Sequence, residues 1–293
     1  MLINADFSRR ASLTDGSVQA MPIITQTCAI TFQGNATNQL QQDAFFLLDD
    51  WYQEALGVTE IMPVKWPFCV AVSDGVASST YSQRCSKAVV KAIKSLWRDQ
   101  RPLTTDNIHH HLNQKNPPSK YHGAAATLAI VVGEMTENGS LKVTIMHVGD
   151  SRVYVLRQAA KRWQCLTRDH NLLNELVDEQ AKEKGRQADF SDYNQEGMGG
   201  SLYSITECFA LNADSSGLSS EAPESTSRNI EIQSGDCMVV CTDGIHDLVP
   251  SHEWQLIDAK TDLQEWLIAL KNQVYDSEGN AYDNGTAIVV QFE

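Results

Sequence analysis

Apolar positions along this chain change period at a few points, and those points carry the information. Cys237-Met238-Val239-Val240-Cys241 is uninterrupted, as in a strand buried on both faces, and it stops on the acidic turn Thr242-Asp243-Gly244. The ending recurs. Phe68-Cys69-Val70-Ala71-Val72 runs into Ser73-Asp74-Gly75, residues 141–148 run into Gly149-Asp150-Ser151, and Asp283-Asn284-Gly285 precedes Thr286-Ala287-Ile288-Val289-Val290. Further strands are expected at 28–32, with 43–48 as its partner, and at 152–156 paired with 163–166. Residues 123–132 and 141–148 read as a hairpin around Glu137-Asn138-Gly139.

Elsewhere the period is helical. Residues 78–98 place Cys85, Ala88, Val89, Ala92, Ile93, Leu96 and Trp97 on one face, the repeat of a helix lying on a sheet. Helices are also expected at 106–114, ending before Pro117-Pro118, at 171–184, and at 262–275, after short helices that follow Asp243. Strand clusters flanked by helix pairs predict an α+β fold, a layered sandwich with helices covering two packed sheets. Residues 25–293 read as one domain after a flexible lead-in over 1–24; 185–200 reads as a lid or binding loop, and 212–228 as a polar surface loop.

Composition narrows the function classes. Thirty-seven acidic against 23 basic residues give a net charge of −14, which argues against nucleic acid or an anionic membrane as the main partner. No apolar stretch approaches the roughly 20 residues of a membrane span, and residues 1–10 lack an apolar signal core. The seven cysteines lie mostly in apolar runs, the usage of reduced thiols in a cytoplasmic protein. Cys237 and Cys241 share a strand face, but no second pair at ligand spacing accompanies them for zinc. His109-His110-His111 points in directions about 100° apart on a helix, a poor cage and a better solvated face.

Asp74, Asp150, Asp243 and Asp283 thus sit at four strand ends. Each alone is an ordinary turn residue; on one rim of a sheet they would repel unless a cation lay among them, and an all-oxygen set favours Mg²⁺ or Mn²⁺.

The ordered motifs Ser73-Asp74-Gly75, Gly123-Ala124-Ala125-Ala126-Thr127-Leu128, His147-Val148-Gly149-Asp150-Ser151-Arg152, Leu166-Thr167-Arg168-Asp169-His170, Gly235-Asp236 with Cys241-Thr242-Asp243-Gly244, and Asp283-Asn284 resemble the metal-dependent protein serine/threonine phosphatases (PPM, type 2C), in their bacterial form. The resemblance spans about residues 28–292. It implies a four-layer α-β-β-α sandwich of mainly antiparallel sheets, and hydrolysis of phosphoserine or phosphothreonine by a hydroxide bridging two Mg²⁺ or Mn²⁺ ions. It implies that Asp74 bridges both ions, that the Gly75 carbonyl serves the first and Asp243 with Asp283 the second, and that Asp150 with Asp243 holds a weaker third. It makes 185–200 the flap beside the site and the partner a phosphoprotein, the product of a serine/threonine kinase in cytoplasmic signalling. An alternative keeps the fold as a pseudophosphatase, a regulatory binding module. Four departures bear on that choice: Asn38 and Gln42 stand at the positions of a phosphate-gripping arginine and a glutamate, Ala77 and Ser78 replace glycines, Val76 stands where eukaryotic members carry a histidine, and Glu207 replaces an arginine.

Overall fold

The uninterrupted apolar strands need cover on both faces, and their alternation shows what supplies it. In β6 (Phe68–Ser73), Phe68, Val70 and Val72 face a core shared with Ile288 and Val290, while Cys69 and Ala71 face Val89, Ile93 and Leu96. In β14 (Cys237–Cys241), Met238 and Val240 join that inner core, whereas Cys237, Val239 and Cys241 all pack toward Trp266, Leu267 and Leu270. Each strand therefore has a second sheet on one side and helices on the other. The computed structural model describes residues 25–34, 40–54, 57–115, 123–185, 199–211, 221–275 and 281–293. The lead-in over 1–24, and 186–198 within the expected flap, lie outside them.

The first sheet runs β11 (Arg162–Cys165), β10 (Arg152–Arg157), β14, β15 (Gly285–Phe292), β1 (Thr25–Phe32), β4 (Gly57–Val58), with β5 (Met62–Pro63) also on β1. The second runs β13 (Thr226–Ile232), β9 (Leu141–Val148), β8 (Leu128–Met135), β6, β2 (Ala44–Leu47), β3 (Asp50–Tyr52). A short pair, β7 (Ala125–Ala126) with β12 (Phe209–Ala210), lies apart from both. All these pairings are antiparallel. Helices α1 (Ser82–Arg98) and α2 (Thr105–Lys115) cover the second sheet; α4 (Asp243–His246) and α5 (Leu263–Val274) cover the first. The outcome is the expected four-layer α-β-β-α sandwich. α3 (Leu172–Glu183), capped by the Asn171 side chain, instead forms a satellite cluster of Leu173 and Val177 with Leu202.

Two local expectations are corrected. Residues 43–48 are not the partner of 28–32: β2 pairs β6 and β3 in the second sheet, while β1 pairs the last strand, from Thr25 opposite Phe292 to Phe32 opposite Gly285. Just before β2, Gln41 links the two sheets, its Nε2 donating to Thr31 Oγ1 at 2.7 Å. Thr226, Ser227 and Arg228 belong to β13, paired with His147, Met146 and Ile145, and not to a surface loop. That strand lies at a sheet edge, and its apolar positions, Ile230 and Ile232, come only at its end, so 226–228 carry no apolar pattern to read. The histidine triplet diverges but does not form a solvated face: His109 is buried, His110 is exposed beside Gln114, and His111 is half-buried.

Ile288 is fully buried between the sheets. Ile288→Ala is expected to cost about 2–5 kcal/mol, read as a lower urea midpoint at unchanged slope, while Lys260→Ala on the surface should stay within about 0.5 kcal/mol.

Candidate active site

All four strand-end aspartates reach one end of the sandwich. Asp74 follows β6, Asp150 follows β9, Asp243 opens α4 directly after β14, and Asp283 precedes β15. Two glycines set how tightly these segments meet. A Cβ on Gly244 would lie 1.8 Å from the Asn284 carbonyl oxygen, and one on Gly75 would lie 2.7 Å from the Ser82 backbone. Only glycine lets the Asp243 turn seat on the Asp283 segment, and the Asp74 turn on the start of α1.

The Asp243 charge then bears on the carboxyls around it. Burial, followed by the Asp243 and Asp43 charges, pushes Asp74 well above the usual carboxylate range. Burial and then Asp243 do the same to Asp150, and raise Asp283 to about 6. The Asp243 and Asp43 charges both bear on Asp74, an arrangement that calls for a proton or a cation among the groups.

Asp43 is the participant that sequence reading left out of the cluster. It is 1% exposed, and burial raises it to about 7 even though the Thr242 hydroxyl donates to its Oδ2 at 2.8 Å. The signal available in the sequence was a fifth aspartate at a strand boundary, disguised because it starts β2 where the others flank turns with glycine.

A polar lattice fixes the backbone beneath. Asp74 N–H donates to Thr127 Oγ1 at 3.1 Å, and that hydroxyl lies 2.7 Å from Ser151 Oγ, joining the Asp74 and Asp150 turns. Asn284 Oδ1 accepts from Gln42 N–H at 2.7 Å, and Gln42 Nε2 donates to Ser82 Oγ, so Gln42 braces β2, α1 and the Asp283 segment together. His246 is buried with Nε2 3.1 Å from the Asp150 carbonyl and Nδ1 3.0 Å from Asp247 Oδ1. Arg152 forks onto Asp169 through Nε at 2.8 Å and Nη2 at 2.6 Å, so this guanidinium is already engaged.

Of the departures, Ala77 and Ser78 need no glycine: neither has positive φ, and the turn closes through Ser79, whose N–H bonds the Val76 carbonyl at 2.9 Å. Glu207 accepts from Glu224 N–H at 3.0 Å and is half-buried. Asn38 lies outside the described residues.

Among the described residues, no three His, Cys, Asp or Glu side chains ring a single point as they stand. The donor set nonetheless fits a hard cation: Oδ1 of Asp43, Asp150 and Asp243 are each buried with no hydrogen-bond donor from a described residue. Such oxygens are costly unless neutralised.

The sequence profile of the Protein phosphatase 2C family matches residues 36–278. This chain belongs to that family. It is by membership a protein phosphatase, of the bacterial type. It is similar to the serine/threonine phosphatase stp of Listeria monocytogenes, 23% identical over 241 residues that cover 76% of this chain and 83% of the relative. Among solved structures it resembles the Streptococcus agalactiae (S. agalactiae) serine/threonine phosphatase, with TM-score 0.65, 18% identity and coverage of 92% of this chain and 100% of that one. It also resembles the catalytic domain of the phosphatase PstP in complex with two manganese ions, with TM-score 0.58, 18% identity and coverage of 92% and 99%.

A raised acid pKa means that the folded state holds protons the unfolded state has released. Without metal, the share of stability due to Asp43 should therefore fall as pH rises from about 4 to its value of about 7. In chelator, thermal midpoints of Asp43→Asn should lack that part of the decline, so its advantage over wild type grows across this window.

Proposed function

We propose that the chain hydrolyses phosphoserine and phosphothreonine on proteins, with Mg²⁺ or Mn²⁺ held by Asp74, the Gly75 carbonyl, Asp243 and Asp283, and a weaker ion at Asp150. The observation that carries this reading is the meeting of the Asp74 and Asp243 carboxyls, from turns 169 residues apart, beside buried carboxylate oxygens without donors. When bound, such ions lower the pKa of water and offset charge on the phosphoryl oxygens.

The chain's own groups supply the positioning. Thr127 aims the Asp74 turn, Thr242 orients Asp43, and His246 holds the Asp150 carbonyl against α4. Asp283 is restrained by the N–H of Asn284, 2.7 Å from its Oδ1. Each of these aspartates is thereby fixed before substrate arrives, which spares the reorganisation that a mobile carboxylate would require.

A route through a cysteine nucleophile has little support. Burial pushes the Cys69, Cys85 and Cys241 thiols well above their usual pKa, Cys28 and Cys237 to about 12, and Cys208 to about 11. Thiols so disposed stay protonated and poorly nucleophilic. The pseudophosphatase alternative gains no observation, since Asp43, Asp74, Asp150, Asp243 and Asp283 are all retained.

The named similarity to serine/threonine phosphatases supports phosphoprotein substrates, and hence a serine/threonine kinase upstream. All seven cysteines are free, which fits a reducing cytoplasm. No helix among the described residues is long and apolar enough to cross a membrane.

Asp74→Asn and Asp243→Asn should each lower Mn²⁺-dependent phosphate release from a phosphothreonine peptide by at least about 10²–10³-fold, and calorimetry should show weakened Mn²⁺ uptake. Near-full turnover in both variants would overturn the assignment.

A further inference from the structure

The net charge of −14 is distributed unevenly. Residues 82–115, which comprise α1 and α2, hold seven basic and two acidic residues, so this helical layer is net +5 on a strongly acidic protein. Five of the seven lie on α1: Arg84, Lys87, Lys91, Lys94 and Arg98. Their spacing of three, four, three, four places all five within about 80° of arc and along about 21 Å of helix. The helix has no acidic residue, and its buried face, with Cys85, Val89, Ile93 and Leu96, is turned to the second sheet on the opposite side.

Trp51, on the edge strand β3, lies under two of the lysines, with Lys91 Nζ 4.5 Å and Lys87 Nζ 5.2 Å from its ring centroid. Lys91 has no acidic partner among the described residues. The counter-ions of Lys87, Lys94 and Arg98 are exchangeable: Glu54 lies 3.5 Å from Lys87, Asp99 lies 3.1 Å from Arg98, and Asp50 pairs with Lys94, all three carboxylates well exposed. Exposed pairs of this kind contribute only about 0–1 kcal/mol. The positive field continues onto the neighbouring helix, where burial and then the Lys115 and Arg101 charges hold His111 below its usual pKa.

The position of the stripe connects it to the site. Its first turn begins at Ser82, which packs on Gly75 and accepts from Gln42 beside the carboxylate cluster. The cations therefore lead away from the place where a phosphorylated side chain would be processed. An extended peptide of about six residues spans the same 21 Å or so.

We infer that the basic stripe of α1 docks an acidic segment of the phosphoprotein substrate, adjacent in sequence to its phosphorylated residue. This inference rests on the phosphatase reading above and specifies its substrate class: phosphosites flanked by runs of Asp or Glu. A peptide, which lies along one helix, suits this geometry better than an extended polyanion such as DNA or a charged bilayer, which would also meet the acidic remainder of the protein. The stripe supplies an attraction that the carboxylate end cannot, raising encounter rate and lowering KM in a salt-dependent way.

The test compares the full chain with Lys87→Glu/Lys91→Glu and with the milder Lys87→Gln/Lys91→Gln. Substrates are a phosphothreonine peptide flanked on either side by six glutamates, its counterpart with neutral flanks, and para-nitrophenyl phosphate. In Mn²⁺ and about 20 mM salt, wild type should favour the acidic peptide over the neutral one by about tenfold in kcat/KM, through KM. The preference should collapse by about 0.5 M salt, shrink in the Gln variant and reverse in the Glu variant, with para-nitrophenyl phosphate turnover unchanged. Equal handling of acidic and neutral peptides by wild type, or equal loss on all three substrates in the Glu variant, would overturn it. Anisotropy of a labelled, unphosphorylated hexaglutamate peptide separates the two readings, because binding that the Glu variant abolishes supports docking even if no phosphate is released. Tighter binding of duplex DNA or of phosphatidylglycerol vesicles than of that peptide would also overturn it.

Discussion

Carboxyl groups crowded at the buried end of a β-sandwich are the constraint on which this structure turns. Asp43, Asp74, Asp150 and Asp283 are each pushed upward in pKa, by burial first, and the Asp243 charge adds to the rise in all four. Such an arrangement is tolerable only if protons are shared or cations intervene. The hydroxyl and amide lattice of Thr127, Thr242, Ser151, Gln42 and Asn284 keeps the turns in place against that repulsion. The frame rather than the cluster supplies the stability, through three apolar layers on either side of and between the sheets.

The same crowding poses an electrostatic difficulty for any phosphorylated substrate. A dianionic phosphoryl group approaching a protein of net −14 meets repulsion before it meets the site. Cations at the cluster would correct this locally, over the few ångströms of the reacting group. The basic face of α1 corrects it at longer range, on a helix whose opposite side is committed to the sheet. The two devices are spatially continuous because Ser82 begins the helix and touches the Asp74 turn through Gly75.

The departures from the family pattern are absorbed in different ways. Gln42 has become a brace, donating from its backbone to Asn284 and from its side chain to Ser82. Ala77 and Ser78 are accommodated because the left-handed conformation falls instead on Tyr81, at φ 60°, just before α1. These substitutions change how the turn is built while leaving Asp74 where β6 delivers it.

The sequence by itself determined the strands that end on Asp74, Asp150, Asp243 and Asp283, the long helices, and the need for two covered faces. Each is written in local period and turn chemistry, which act over a few residues. It misread the start of β13, an edge strand whose apolar positions Ile230 and Ile232 come only at its end, and was misleading on β2, since nearness along the chain suggested β1 as its partner. Only the tertiary structure decided that Asp43 joins the cluster, that His246 turns inward to the Asp150 carbonyl, and that the α1 cations begin beside the carboxylates. Those relations depend on packing between segments distant in the chain, and no local pattern encodes the distance between them.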